Sequence, residues 1–560
     1  MYRLSLYTMK KVLLSLLAIA MTMPMFSQSN VINAQITEKG FQNPVIPGYY
    51  PDPSVCRVGD DFYLVCSSFQ FFPGVPVFHS KDLIHWEQIG NVLDRPSQVD
   101  LSRGGASSGI FAPTIRYHEG KFYMITTNIN VMFGGGAGNF IVTADNPAGP
   151  WSDPVFIPGV MGIDPSLYWE NGKLYICWSA MNNIALAELD PQSFQMVGKA
   201  RSIWDGDGDS SPEGPHIYKK DGYYYLLIAE GGTEMGHKVN IARSRNIEGP
   251  YTSNPSNPIL TQKRRDSVSS VLQGTGHPDL IQAADGSWWI VYLGFRDTVG
   301  KMHHLLGRET CLAPVRWDDE AWPVVNGKGW VDIDMSHVKT LPQVLMPQAT
   351  NYVDFKQGKK LGFEWIYTNN PVQENYTYAN NQLLLKATPI KLDDPNRTPT
   401  FVARRQTDVN CTVTTSMSLM DAKSGDRAGL TVYMDNKGHY DVAIVGTADG
   451  GQEIELSYRL GELKHIAKTV KFNTKRAVQF KIDVTNSHYA FSYSTDGKTF
   501  QPLGKMDSYF LSTETLGGFT GMLFGWFAEG DKGTKAVAAI DWFDYKSGAP
   551  YVAVPAYPTE

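Results

Sequence analysis

The chain has 560 residues, 19% charged and 42% hydrophobic, with a formal net charge of −6 at pH 7. That length exceeds one ordinary core and calls for more than one domain, and the composition excludes a disordered chain. No basic field exists to recruit nucleic acid, so nucleic acid is excluded as a partner.

In chain order, Lys10 and Lys11 precede an apolar run from Val12 to Met25, followed by Ser27, Gln28 and Ser29. A positive start, a short apolar stretch and a small polar exit make residues 1–28 a signal peptide. The run is too short for a membrane span. With no Cys before Cys56, a lipid anchor is not expected either. The mature protein is expected to be secreted or periplasmic.

Residues 29–335 carry a repeat. A turn and an aromatic, apolar strand recur at Gly59–Val65, Glu119–Ile125, Asn171–Cys177, Asp221–Leu227 and Asp285–Val291. Gly after Asn or Asp marks a hairpin, because Gly accepts positive φ at little cost. A Pro stands ten residues before the strand aromatic in four copies (Pro53, Pro113, Pro165, Pro215), and Pro278 stands eleven before Trp289. A period of 50 to 64 residues in all-β sequence means one propeller blade per repeat, hence five blades. A connector rich in Pro and Gln, residues 336–350, follows. Residues 351–560 then alternate polar and apolar side chains in short stretches such as Gln382–Lys386, Gly429–Tyr433 and Val478–Ile482, which predicts a β-sandwich. The fold class is all-β: a five-bladed β-propeller followed by a β-sandwich. Cys56, Cys66, Cys177, Cys311 and Cys411 are scattered and form no CxxC pair, which predicts buried free thiols rather than a metal site or a disulfide framework.

Innermost strands of a propeller line one channel, so equivalent repeat positions converge. The residues before the blade-opening prolines are Asp52, Ala112, Asp164, Gly214 (preceded by Glu213) and His277. Each Asp-Pro alone reads as a turn or strand cap. Together they gather three carboxylates and an imidazole around one pocket, where like charges raise each other's pKa. One carboxyl kept protonated beside one kept ionised is what glycoside hydrolysis needs.

Tyr50-Pro51-Asp52-Pro53-Ser54, Gly162-Ile163-Asp164-Pro165-Ser166 and Ser211-Pro212-Glu213-Gly214-Pro215 resemble the three motif blocks of glycoside hydrolase family 43, in particular its β-xylosidase and α-L-arabinofuranosidase members. Phe71–Val77, Gly231-Gly232-Thr233, Gly276-His277 and Leu306–Thr310 extend the resemblance. The segment from Asn351, with Arg404-Arg405-Gln406 and Ala428-Gly429-Leu430, is similar to the jelly-roll, concanavalin-like sandwich of some members. The resemblance implies Asp52 as general base, Glu213 as general acid and Asp164 as the residue that tunes and orients the acid. It also implies His277 and Arg308 on the terminal sugar, Phe69 and Phe111 as pocket walls, and inversion at the anomeric carbon. Family members often carry Trp at the position of Phe111.

Other signals carry less. Asp205–Asp209 resembles the start of a Ca²⁺ loop but lacks the sixth-position Gly and the distal Glu, where His216 stands. Gly134–Gly136 is no phosphate loop. His303-His304 reads as a strand pair. No cofactor or metal is expected. The expected function is removal of terminal xylose or arabinofuranose from xylan, arabinoxylan or their oligosaccharides, with plant cell-wall glycan as the partner. The residues leave open the sugar, the linkage and the oligomeric state. The alternatives are a non-catalytic glycan-binding propeller, or a hydrolase of another glycan such as arabinan, sucrose or fructan.

Overall fold

The computed structural model describes residues 30–32, 40–102, 104–264, 271–298, 303–346, 351–472 and 476–550; the expected signal peptide lies outside them. Five blades succeed one another. Their innermost strands are Ser54–Val58, Thr114–His118, Ile163–Glu170, Glu213–Lys220 and Leu272–Gln282. Each inner strand touches the next and the last touches the first, which closes the ring. The second strand of each blade is the aromatic strand of the repeat: Asp61–Val65, Lys121–Thr127, Lys173–Ser179, Tyr223–Glu230 and Trp288–Arg296.

The hairpins between these strands follow from local chemistry. Glu119-Gly120, Asn171-Gly172 and Asp221-Gly222 all have positive φ at both residues, the two-residue turn whose twist matches paired strands. Gly40–Tyr50 staples the ring shut: Phe41–Gln42 pairs with Asp334–Met335, and the Asn43 amide exchanges hydrogen bonds of 3.0 and 2.9 Å with the backbone of Leu312. Asn30–Ile32 adds a strand outside the first blade.

Midway down, a polar plug fills the channel. Asp279 accepts from Tyr218 Oη (2.5 Å), Ser54 Oγ (2.7 Å) and Arg116 Nη1 (2.8 Å), and His216 Nδ1 lies 2.8 Å from Arg116 Nη2. Four of the five blades meet in this network.

The second domain is a sandwich of two eight-stranded sheets. Along Arg427–Asp435 the residues Ala428, Leu430, Val432 and Met434 alternate into the core between the sheets. Tyr433, on the opposite face, packs with Tyr49, Phe69 and Phe71 of the propeller. One of these sheets crosses the domain boundary: Phe71–Phe72 of the first blade pairs with Trp365–Thr368 as its edge strand. Arg405 also lies over the ring of Tyr50, 4.3 Å from its centroid. The connector runs along the propeller, with Val344 N–H donating to Asp82 at 2.8 Å. All five cysteines are buried and free. Short helices of four or five residues occur at Ile129–Phe133 and Thr513–Leu516 within the all-β fold. One difference from the sequence reading stands out. His303 and His304 are not a strand pair: they lie in the loop before Glu309–Trp317, held there by contacts with the sandwich.

Candidate active site

Asp52, Asp164, Glu213, His277, Arg308, Phe69 and Phe111, all singled out from the sequence, line a single cavity of about 110 Å³, together with Ala112, Ile163, Thr233 and Phe519. The three carboxyls stand at or just before the starts of inner strands, and His277 lies within the fifth. Asp52, Asp164, Gly214 and His277 all have positive φ, between 45° and 57°. In the third, fourth and fifth blades the strand pairing slips at this point, a β-bulge that re-aims the side chains. Left-handed backbone at Asp and His stores strain of about 1–3 kcal/mol each, the kind held at functional sites.

The displaced position of Glu213 has a steric correlate. At Gly214 an added Cβ would lie 3.1 Å from the His277 ring. That approach is tight and the positive φ disfavours a side chain, which agrees with a Gly here and a carboxylate on the preceding residue.

The three carboxyls stand in different surroundings. Asp52 is 4% exposed, accepts from Ser67 Oγ at 2.5 Å and pairs with Arg308 Nη1 at 2.7 Å. Burial pushes its carboxyl up, but Arg308, His277 and the Ser67 hydroxyl outweigh it and hold Asp52 below the usual carboxylate range. Asp164 is buried and accepts one backbone bond, from Gly214 N–H at 3.2 Å. Burial and the charges of Glu213 and Asp52 push its carboxyl well above the usual range. Glu213 keeps 19% of its side chain exposed, open to the cavity. Burial holds the His277 imidazole below its usual value, against the opposing pull of Asp52 and Glu213.

Four contributors were missed in the sequence. Ser67 and Thr233 flank the Asp52–Arg308 pair, and Thr233 Oγ1 accepts from Arg308 Nη1 at 3.0 Å. The buried His237 places Nε2 3.3 Å from Glu213 Oε1 and is oriented through Nδ1 at 3.2 Å from Gly274 O. It stands just before the third strand of its blade, Lys238–Ser244, outside the repeat position that exposes the others. Phe519 comes from the sandwich, stacks on Phe69 (centroids 5.8 Å) and meets Phe111 at 6.3 Å, so the second domain closes one wall. Only Gly231-Gly232-Thr233 carried any signal, through its resemblance to a family motif. Among the described residues no group of three His, Cys, Asp or Glu is arranged to hold a metal ion.

Residues 41–323 match the model of glycosyl hydrolases family 43, and residues 353–546 match the β-xylosidase C-terminal concanavalin A-like domain. The chain is 41% identical to a non-reducing end α-L-arabinofuranosidase, BoGH43B, of Bacteroides ovatus, across 92% of this chain and 96% of that protein. It is 36% identical to a xylosidase/arabinosidase of Butyrivibrio fibrisolvens, across 88% and 96% of the two. The solved structure described as Bacteroides ovatus xyloglucan PUL GH43B superposes with a TM-score of 0.84 at 39% identity, over 91% of this chain and all of that one. With three carboxyls set apart by their surroundings at one mouth of the propeller and both domains matched, the chain belongs to glycosyl hydrolases family 43 and is an O-glycosyl hydrolase.

Proposed function

We propose that the enzyme is exo-acting and releases a terminal α-L-arabinofuranosyl or β-D-xylosyl unit from plant-wall xylan, arabinoxylan or their oligosaccharides, with inversion. The observation that carries this reading is the unlike environments of Asp52 and Glu213 across a cavity of about 110 Å³. Asp52, held ionised by Arg308, is the base that takes a proton from water as the water attacks the anomeric carbon. Glu213 gives its proton to the departing glycosidic oxygen. Asp164 shares the cavity with Glu213, and burial together with the charges of Glu213 and Asp52 pushes its carboxyl well above the usual range. His277, kept neutral, and Arg308 meet the sugar hydroxyls, and Phe69, Phe111 and Phe519 enclose the ring. The small, aromatic-walled cavity favours a single terminal unit over a chain passing through. Relatives named arabinofuranosidase and xylosidase/arabinosidase favour a pentose.

The test is a panel of aryl glycosides, with proton NMR of the first sugar formed. The expected result is turnover of the α-L-arabinofuranoside, the β-D-xyloside or both, with the product anomer inverted. Turnover confined to hexosides, or a retained anomer, would overturn the reading. The Lys10–Ser29 segment supports export through cleavage near residue 28; N-terminal sequencing of the exported protein checks this, and an intact N-terminus would oppose it.

A further inference from the structure

The loop 303–308 leaves the fifth blade, yet the sandwich holds most of it. Leu305 is 1% exposed and belongs to the apolar core of the sandwich, and its carbonyl accepts from Met522 N–H at 3.1 Å. His304 is wedged between the ring of Phe295 (centroids 4.3 Å) and Glu514, whose Oε1 lies 2.6 Å from Nδ1 and whose Oε2 accepts from His304 N–H at 3.2 Å. His303 packs on Tyr509, with centroids 4.0 Å apart. Gly307 meets Gly521 so closely that an added Cβ would lie 3.1 Å from the Gly521 Cα. The next residue is Arg308, which holds Asp52. Immediately beyond it, Glu309 is forked by Arg296 at 2.7 and 2.8 Å within the propeller. Arg308 is therefore the joint between a segment held by the sandwich and a strand held by the propeller.

We propose that the His304–Glu514 pair and Leu305 transmit the position of the sandwich to Arg308, and through Arg308 keep Asp52 aligned and ionised. His304 and Glu514 are then positioning residues for a reaction they do not touch. The inference rests on Asp52 being the base. It gives the sandwich a second task beside supplying Phe519: without the loop's anchor the guanidinium loses its fixed place.

The groups facing Asp52 are Arg308, His277, His237, Ser67, Tyr49 and Cys66, with Asp164 and Glu213 in the same cavity. Arg308 is the foremost of those that hold its proton off. When Arg308 recedes, Asp52 takes up a proton at higher pH, and the acidic limb of kcat/KM moves upward. A purely structural role for Glu514 would lower the amount of active enzyme and leave that limb in place.

The experiment measures full pH profiles of the whole chain as wild type, Glu514→Ala, Glu514→Gln and Asp52→Asn, with near-ultraviolet circular dichroism to establish folding. In Glu514→Ala, kcat/KM should fall roughly 10-fold or more, as for a misplaced catalytic group. Its acidic limb should rise by about half a unit or more, the scale of losing one close charge partner. Glu514→Gln, whose amide oxygen still accepts from His304, should recover most of the activity. If Glu514→Ala does not fold, His304→Gln takes its place with the same expectation. A folded variant with an unmoved acidic limb would overturn the coupling. The two readings fail separately: an active Asp52→Asn sinks the assignment of the base, whereas an inactive Asp52→Asn beside a wild-type-like Glu514→Ala sinks only the role of the sandwich.

Discussion

In the proposed reaction Glu213 and Asp164 divide one task, because burial treats them differently. Glu213 is partly open to the cavity, and Asp164 lies beneath it with a single backbone donor. Proton delivery to the leaving oxygen falls to the open group, so Glu213→Gln should fold normally and lose about 10²–10⁴-fold on natural oligosaccharides. Dinitrophenyl glycosides, whose leaving group departs unprotonated, should suffer far less; equal losses on both substrates would remove Glu213 from the role of acid. Asp164→Asn deletes one charge of the facing pair. Its carboxyl is the one that burial and its neighbours push up, so without it the basic limb of kcat/KM should move down by about one unit, together with a fall in rate. The check is the complete profile. A basic limb that stays put while the amplitude drops would mean that Asp164 orients the acid or the sugar instead of holding the proton.

The inner strands do more than deliver these residues. Below the cavity, Ser54, Arg116, His216, Tyr218 and Asp279 tie four blades together, and every one of these links reaches Asp279 or Arg116. Burial pushes the His216 imidazole down to about 3, with Arg116 acting in the same direction and Asp279 opposing. Its folded value thus lies below the unfolded one. Between about pH 6.5 and pH 3 the unfolded chain binds this proton and the folded chain does not, so stability falls as the pH falls through that window. From pH 7 to pH 4 the single site amounts to ~3 kcal/mol. Urea midpoints at the two pH values, for wild type and His216→Gln, should show a smaller drop in the variant. The same drop in both would place the acid sensitivity elsewhere.

At the scale of the whole molecule, the two domains share a sheet, a cavity wall and a loop. The pairing of Phe71–Phe72 with Trp365–Thr368 leaves a propeller segment without its partner strand once the sandwich is removed. Tyr49, Phe69 and Phe71, all at most 2% exposed, would lose the sandwich face that covers them. A chain ending near residue 340 should therefore aggregate or lose nearly all activity. Solubility on size-exclusion chromatography and aryl-glycoside turnover decide this, and a soluble, fully active truncated protein would show that the sandwich is dispensable.

The sequence by itself determined the blade count, the place of each hairpin and the convergence of Asp52, Asp164 and His277, because those features are local and repeat. Turn chemistry and alternation act within a few residues, and blade symmetry turns equal spacing into a common location. Glu213 was visible in the same way, one place out of register; only the tertiary structure shows how closely the His277 ring approaches Gly214. His237 lies just before the third strand of its blade and Ser67 just after the second strand of the first, both outside the repeat position, and their proximity to Glu213 and Asp52 depends on how strands pack across a blade. Phe519 lies more than 200 residues beyond the last site residue of the propeller. Neither spacing nor propensity carries that distance. It is set by the docking of two cores, whose complementary faces are assembled from residues scattered along the whole chain.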